Sequence, residues 1–559
     1  MKLALFSLLF VIYSPVALAT QVNTAYGVLS GEKNEQTNIV TFKGVPFAAP
    51  PVGELRWQPP QPVMAWQGVR EATAFAPRAM QNPIYSDMQF RSNDTSEDSL
   101  YLNIWTPNIA EKAKLPVLLY FHGGGFIAGS ADEKRYDGTS MAQNDIVVVT
   151  ANYRLGVFGF FAHKGLSKQT DYQGSGNYGL MDQQAALKWV AENIQQFGGD
   201  PKRITIAGES AGSISVSALM VAPSAKSYIA GAIGESGSVI GPPLDPLSLE
   251  DAERYGDKVT AAALKNTPGQ RLSLPEERMT ALREMPAQTL LDKVTKGGFI
   301  YFKPNVDGRF FPESPATLYA KGQQAKVPLL LGDNSQEGNY QQIMMDGEPT
   351  VEHYVDKIKR LYPDYTKEVL ALYPGQNSEQ VKASAQALAS DRFMGIATYN
   401  WAYQHDKTSS APSYYYFYDH VRPAMVGAKK VPPANKARGA VHSAEIEYAL
   451  GNLDVNPLYL WQEADYQVSN MMQQYFVQFI KTGSPNSSPE NTRDLPIWPQ
   501  FSQHKRMVLK AEPEVEDIRY LQERHAFHRR YYQTRDDIDK AQSEKDGLDH
   551  IIEKKSAEH

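Results

Sequence analysis

The chain has 559 residues, of which 42% are hydrophobic, enough to build a large buried core. A formal net charge of −6, from 56 basic and 62 acidic side chains, supplies no basic stripe, which disfavours nucleic acid as a partner. The absence of cysteine excludes disulfides, thiol catalysis, cysteine-ligated zinc and iron–sulfur chemistry.

The N-terminus reads as a targeting segment. Lys2 gives a positive start, Leu3 to Val16 an apolar run, and Ala17-Leu18-Ala19 the small-x-small form of a cleavage site. The run is short and broken by Ser14-Pro15, so it reads as a signal peptide over 1–19 and not as an anchor. The protein is therefore expected in the periplasm or outside the cell, with no membrane span. Between 20 and 535 there is no linker, low-complexity tract or repeat, which predicts one large domain with long insertions. Residues 536–559 carry dense charge with little apolar content, and read as a solvated tail.

Within the body, short apolar runs alternate with helical patterns. Val117–Phe121 and Ile146–Thr150 read as central strands, and the spacing of Leu180, Ala185, Leu187 and Val190 predicts a helix to Asn193. Phe197-Gly198-Gly199-Asp200-Pro201 stops it. Strands are then predicted at Ile204–Ala207, Ala232-Ile233, Leu329–Leu331 and Tyr414–Tyr418. This alternation implies an α/β fold, a mostly parallel sheet with helices on both faces. Ligands of such sheets bind beyond the carboxyl ends of the strands.

Gly208-Glu209-Ser210-Ala211-Gly212 lies between the run Arg203–Ala207 and the helical stretch Ser213–Met220. Strand, Gly-x-Ser-x-Gly, helix is the context of a nucleophile elbow, in which glycines make room for a sharp turn. A serine hydroxyl needs a base, an acid to orient that base, and donors for an oxyanion. His122-Gly123-Gly124-Gly125-Phe126 directly follows a strand, so the N–H groups of Gly124, Gly125 and Ala211 are the candidate donors.

Of the 11 histidines, His525, His528, His550 and His559 fall in the charged C-terminal region and read as solvated. His420 ends a strand and reads as structural. His442, after a Gly/Pro/Lys-rich loop and before a helical pattern, is the candidate base. His442 with Glu445 resembles half of a zinc site, but no second histidine stands at ligand spacing, so no metal is expected. The acid should lie between serine and histidine; Asp333 and Glu337 both qualify, and spacing does not choose.

The chain resembles type-B carboxylesterases, a branch of the α/β-hydrolase superfamily, along most of its length. The resemblance rests on Gly44–Ala48, Leu55-Arg56-Trp57, Trp66-Gln67-Gly68, Glu97–Asn103, Asn152–Gly156, Asp182-Gln183, Phe197–Pro201, Gly208–Gly212, Thr482–Asn486 and Trp498-Pro499. It implies an α/β-hydrolase fold, Ser210 as nucleophile, Glu337 as acid, His442 as base, and Gly124, Gly125 and Ala211 as oxyanion hole. Ser236 matches a serine that supports the triad. Small-molecule esters are the implied substrates, hydrolysed without a cofactor; an inactive binding protein, an amidase or an acyl transferase on the same fold are the alternatives.

Two departures from the family pattern stand out. Gln336 occupies the usual place of an aspartate beside the acid. Ala79 and Ser99 stand where the family's first disulfide would be, leaving that loop less restrained by expectation. It has no tryptophan for stacking a choline cation, which disfavours choline esters. Phe126 and Phe160-Phe161 are expected as apolar walls near the acyl group.

Overall fold

A computed structural model describes residues 19–241, 244–345, 347–428, 437–486 and 495–534. Most of the targeting segment and the whole of the charged tail, including His550 and His559, lie outside the described residues.

Seven parallel strands form the middle of the main sheet. In spatial order they are Val147–Ala151, Leu115–Phe121, Gly199–Glu209, Gly231–Glu235, Leu329–Asn334, Ser413–Tyr418 and Lys505–Leu509. Antiparallel strands extend both edges: Tyr101–Thr106, Val40–Pro46, Val28–Lys33 and Ala19–Asn23 on one side, Glu514–Asp517 on the other. All the central strands predicted from sequence are present, and the helix of Leu180 to Asn193 spans Tyr178–Asn193.

The apolar runs are continuous because both faces of the sheet are covered. Val117, Leu119 and Phe121 pack with Ile204, Ile206, Leu187, Val190, Val216 and Leu219, under the helices Tyr178–Asn193 and Ala211–Val221. Leu118, Tyr120, Ile233, Leu330 and Tyr416 point the other way, against Val468, Met472, Phe476 and Phe479 of the helix Glu463–Thr482. Alternation along each strand thus feeds two separate cores. A third cluster joins Tyr354, Ile358, Tyr362 and Leu388 to Phe527 and Tyr531 of the helix at 519–534.

That last helix corrects the reading of its histidines. His525 is 2% exposed and His528 fully buried. His525 stacks on Tyr399 at 4.1 Å, and His528 Nε2 lies 2.8 Å from the Tyr373 hydroxyl. Burial lowers both imidazoles, to about 3 and about 4, so they stay neutral. Charge density misled because charges such as Glu523 and Arg530 occupy the outer face of an amphipathic helix, whose inner face carries Leu521, His525, Phe527, His528 and Tyr531.

The segment between Ala79 and Ser99 is likewise held more firmly than expected. Arg78–Ala79 pairs with Thr95–Ser96. Asp132 accepts the backbone N–H groups of Arg91 (2.8 Å) and Ser92, and the Arg91 guanidinium pairs with Asp137 at 2.5 Å. Two buried carboxylates thus tie down a segment that has no disulfide.

Candidate active site

The strand Gly199–Glu209 ends in a turn at Ser210, whose backbone has φ +55° and ψ −118°, a strained conformation for a side chain-bearing residue. The helix Ala211–Val221 starts immediately afterwards, with Ile214 N–H donating to Ser210 O at 2.9 Å. A Cβ at Gly212 would lie 2.1 Å from Phe121 O, and one at Gly208 2.6 Å from the same atom. The two glycines are therefore required by the close approach of the neighbouring strand.

His442 Nε2 lies 2.9 Å from Ser210 Oγ, and its Nδ1 lies 2.6 Å from Glu337 Oε2. Three side chains far apart in sequence thus form one hydrogen-bonded chain above the carboxyl end of the sheet. Glu337 follows the strand Leu329–Asn334, and its Oε1 accepts from Asn334 N–H (2.8 Å) and Ser236 Oγ (2.5 Å). Asp333, the alternative that spacing left open, accepts from the Tyr415 hydroxyl at 3.0 Å instead. Ser236 follows the adjacent strand Gly231–Glu235 and also reaches Glu445 Oε1 at 3.3 Å.

The glycine-rich segment faces the serine. Gly124 adopts φ +104°, open to glycine, and its carbonyl accepts from Ile127 and Ala128 N–H, both at 3.1 Å. The N–H groups of Gly124, Gly125 and Ala211 have no acceptor among the described residues, which leaves them available to an oxygen bound near Ser210. His122 beside them is structural: it stacks on Tyr153 at 4.3 Å, and burial lowers it to about 4. His420 is structural too, 2.8 Å from Asp465.

Sequence reasoning did not place Glu209 beside the imidazole, and read Glu445 only as half of a rejected zinc site. Glu209 Oε1 lies 3.2 Å from His442 Nε2, and Glu445 is held by Asn334 Nδ2 at 2.6 Å. Glu209 is the variable position of the elbow motif, so its place beside the serine was the available signal. Burial opposes a charge on His442, but Glu209, then Glu337 and Glu445, outweigh it and push the ring up to about 10. Burial in turn pushes Glu209 up to about 8. Glu209 and His442 therefore titrate as a pair across 3.2 Å, with one proton passing between them, and the imidazole acts as a base when that proton sits on Glu209.

A cavity of about 560 Å³ opens in front of Ser210. Its walls include Met88, Ile214, Leu244, Phe302, Phe393 and Met394, with Phe393 edge-on to the His442 ring at 5.2 Å. Phe126 lines it as expected, whereas Phe160 stands behind Phe126 at 4.7 Å and Phe161 packs on Trp57 at 5.0 Å. Those two belong to the core. No helix among the described residues is long and apolar enough to cross a membrane.

Known proteins resemble this chain along most of its length. The model of the carboxylesterase family matches residues 18–530. Fumonisin B1 esterase of Sphingopyxis macrogoltabida is 33% identical over 497 residues, covering 87% of this chain and 85% of that protein. Para-nitrobenzyl esterase of Bacillus subtilis is 32% identical over 515 residues, covering 88% and 95%. The solved carboxylesterase EST55 of Geobacillus stearothermophilus superposes with a TM-score of 0.73 at 33% identity, over 91% of this chain and 99% of that one. The fold is accordingly that of the α/β-hydrolases.

Proposed function

The chain belongs to the carboxylesterase family and is a carboxylic ester hydrolase; from that premise we propose that it works through Ser210, His442 and Glu337 by way of an acyl-enzyme. Ser210 Oγ attacks the ester carbonyl while His442 Nε2 takes the hydroxyl proton. The N–H groups of Gly124, Gly125 and Ala211 hold the oxygen that becomes negative. His442 then protonates the departing alcohol, leaving the acyl group on Ser210. Water attacks that ester by the same route, giving its proton to His442, and the acid leaves as Ser210 regains a proton. Glu337 holds the imidazole with Nδ1–H toward itself, and Ser236 holds Glu337.

The observation that carries this reading is the imidazole bridging Ser210 Oγ and the Glu337 carboxylate, at 2.9 and 2.6 Å. The aromatic and aliphatic walls of the cavity favour neutral, apolar small-molecule esters, while Asp87 and Arg135 in its lining pair with each other at 3.2 Å. The segment 1–19 directs export to the periplasm or beyond and is cut off near Thr20, a reading that N-terminal sequencing of exported protein tests.

Ser210→Ala is the direct test of the nucleophile. Hydrolysis of a short aryl ester should fall by at least about 10⁴-fold with the circular dichroism spectrum and melting unchanged. Retained activity would end the proposal.

A further inference from the structure

A second cavity, of about 230 Å³, lies beside the end of the strand Leu329–Asn334 and shares no lining residue with the ester cavity. Its chemistry is different. Arg438, Arg506 and Arg524 border it together with Asp333 and Asp391.

Most of these charges are matched. Arg524 pairs with Asp391 at 3.1 Å, and Arg438 with Glu379 at 3.0 Å. Arg506 is matched too, by Glu516 at 2.6 Å, but keeps a guanidinium N–H without an acceptor. It is only 5% exposed, with its guanidinium 3.8 Å over the Phe417 ring. Its Nε donates to Glu516 at 2.6 Å and its Nη2 to the Tyr520 hydroxyl at 3.2 Å. Nη1 has no acceptor among the described residues, and Arg506 lines the cavity. Near it stands Asp333, whose carboxyl burial pushes up to about 8, so that at neutral pH it carries a proton to donate.

An unmatched guanidinium N–H and an acid proton both call for an acceptor bearing negative charge. A carboxylate supplies two such oxygens in one plane, and Phe417, Leu521 and Ala387 give apolar surface for the rest of a small acid. We propose that this cavity binds a small monocarboxylate, gripped by Arg506. The acid released by ester hydrolysis belongs to that class. Asn334 borders the cavity and also donates to Glu337 and Glu445, so an occupant would touch the loop that holds the candidate acid.

Calorimetric titration of the full chain with benzoate at pH 7 tests this without any reference to catalysis. Saturable binding is expected, weakened at least about tenfold by Arg506→Gln, the loss of one charged hydrogen bond. Ala387→Leu, which fills the cavity and changes no charge, should weaken it as much, while melting curves show that each variant is folded. Should Arg506→Gln not fold, Ala387→Leu decides alone. No benzoate binding, binding that survives Ala387→Leu (as binding in the ester cavity would), or inorganic phosphate binding more tightly than benzoate would each overturn the proposal.

Discussion

Gln336 clamps Gly439: its side-chain carbonyl accepts the Gly439 N–H at 3.0 Å and that of Arg438 at 2.6 Å. Gln336 N–H donates to Ala440 O at 2.8 Å, Ala440 N–H to Ser335 Oγ at 2.8 Å, and Asn334 Nδ2 to Val441 O at 2.9 Å. Three consecutive residues before Glu337 therefore bind the segment just before His442. The acid and the imidazole are set against each other by their backbones before their side chains meet. A neutral amide does this without placing another carboxylate beside Glu337 and Glu445.

Gln336→Ala should accordingly loosen the histidine segment without touching substrate. We expect kcat to fall by roughly tenfold with KM little changed, and steady-state kinetics on an aryl ester would show it. An unchanged kcat would mean that the clamp is redundant.

Glu337→Gln keeps the shape of the side chain but removes the charge that faces Nδ1. Without that charge neither the productive tautomer nor the imidazolium is favoured, and kcat should drop by about 10⁴-fold. The fold should survive, because Asn334 N–H and Ser236 Oγ can still donate to an amide oxygen. A loss of less than tenfold would contradict the role given to Glu337.

Glu209→Gln tests the electrostatics. A carboxylate 3.2 Å from Nε2 favours the protonated ring, so His442 lies above its ordinary 6.5 while Glu209 is present. Removing the acid lowers that value. Since the base must be neutral to accept the serine proton, the acid limb of kcat/KM should move to lower pH, by about one unit or more. The plateau should also fall, because the imidazolium formed during reaction loses a partner. A pH profile with a neutral ester measures both, and a limb that stays put or moves upward would refute this account.

Much of this site was legible in the sequence because its parts are local. Gly208 to Gly212 announces a turn, His122 to Phe126 announces free N–H groups, and each follows a run that can only be a buried strand. Glu337 against Asp333 was not decidable by spacing; the resemblance chose, and the geometry agrees by turning Asp333 toward Tyr415. What escaped were relations between distant segments. Glu209 reaches His442, and Asn334 reaches Val441 and Glu445, only once the strands Gly199–Glu209 and Leu329–Asn334 share one sheet, and no local pattern records that. The antiparallel edges escaped because Val28–Lys33 and Val40–Pro46 mix polar with apolar residues, half of each strand facing away from the core. His525 and His528 were misjudged by counting charges where helical spacing was the better guide.

The central claim is that Ser210 is the nucleophile that His442 activates. Treating the full chain with a neutral organophosphonate and mapping the adduct by mass spectrometry tests it most directly. The account predicts one equivalent of label, on the peptide containing Ser210, with hydrolysis lost in step with labelling. Activity that persists after complete reaction, or label on another residue with Ser210 unmodified, would contradict it.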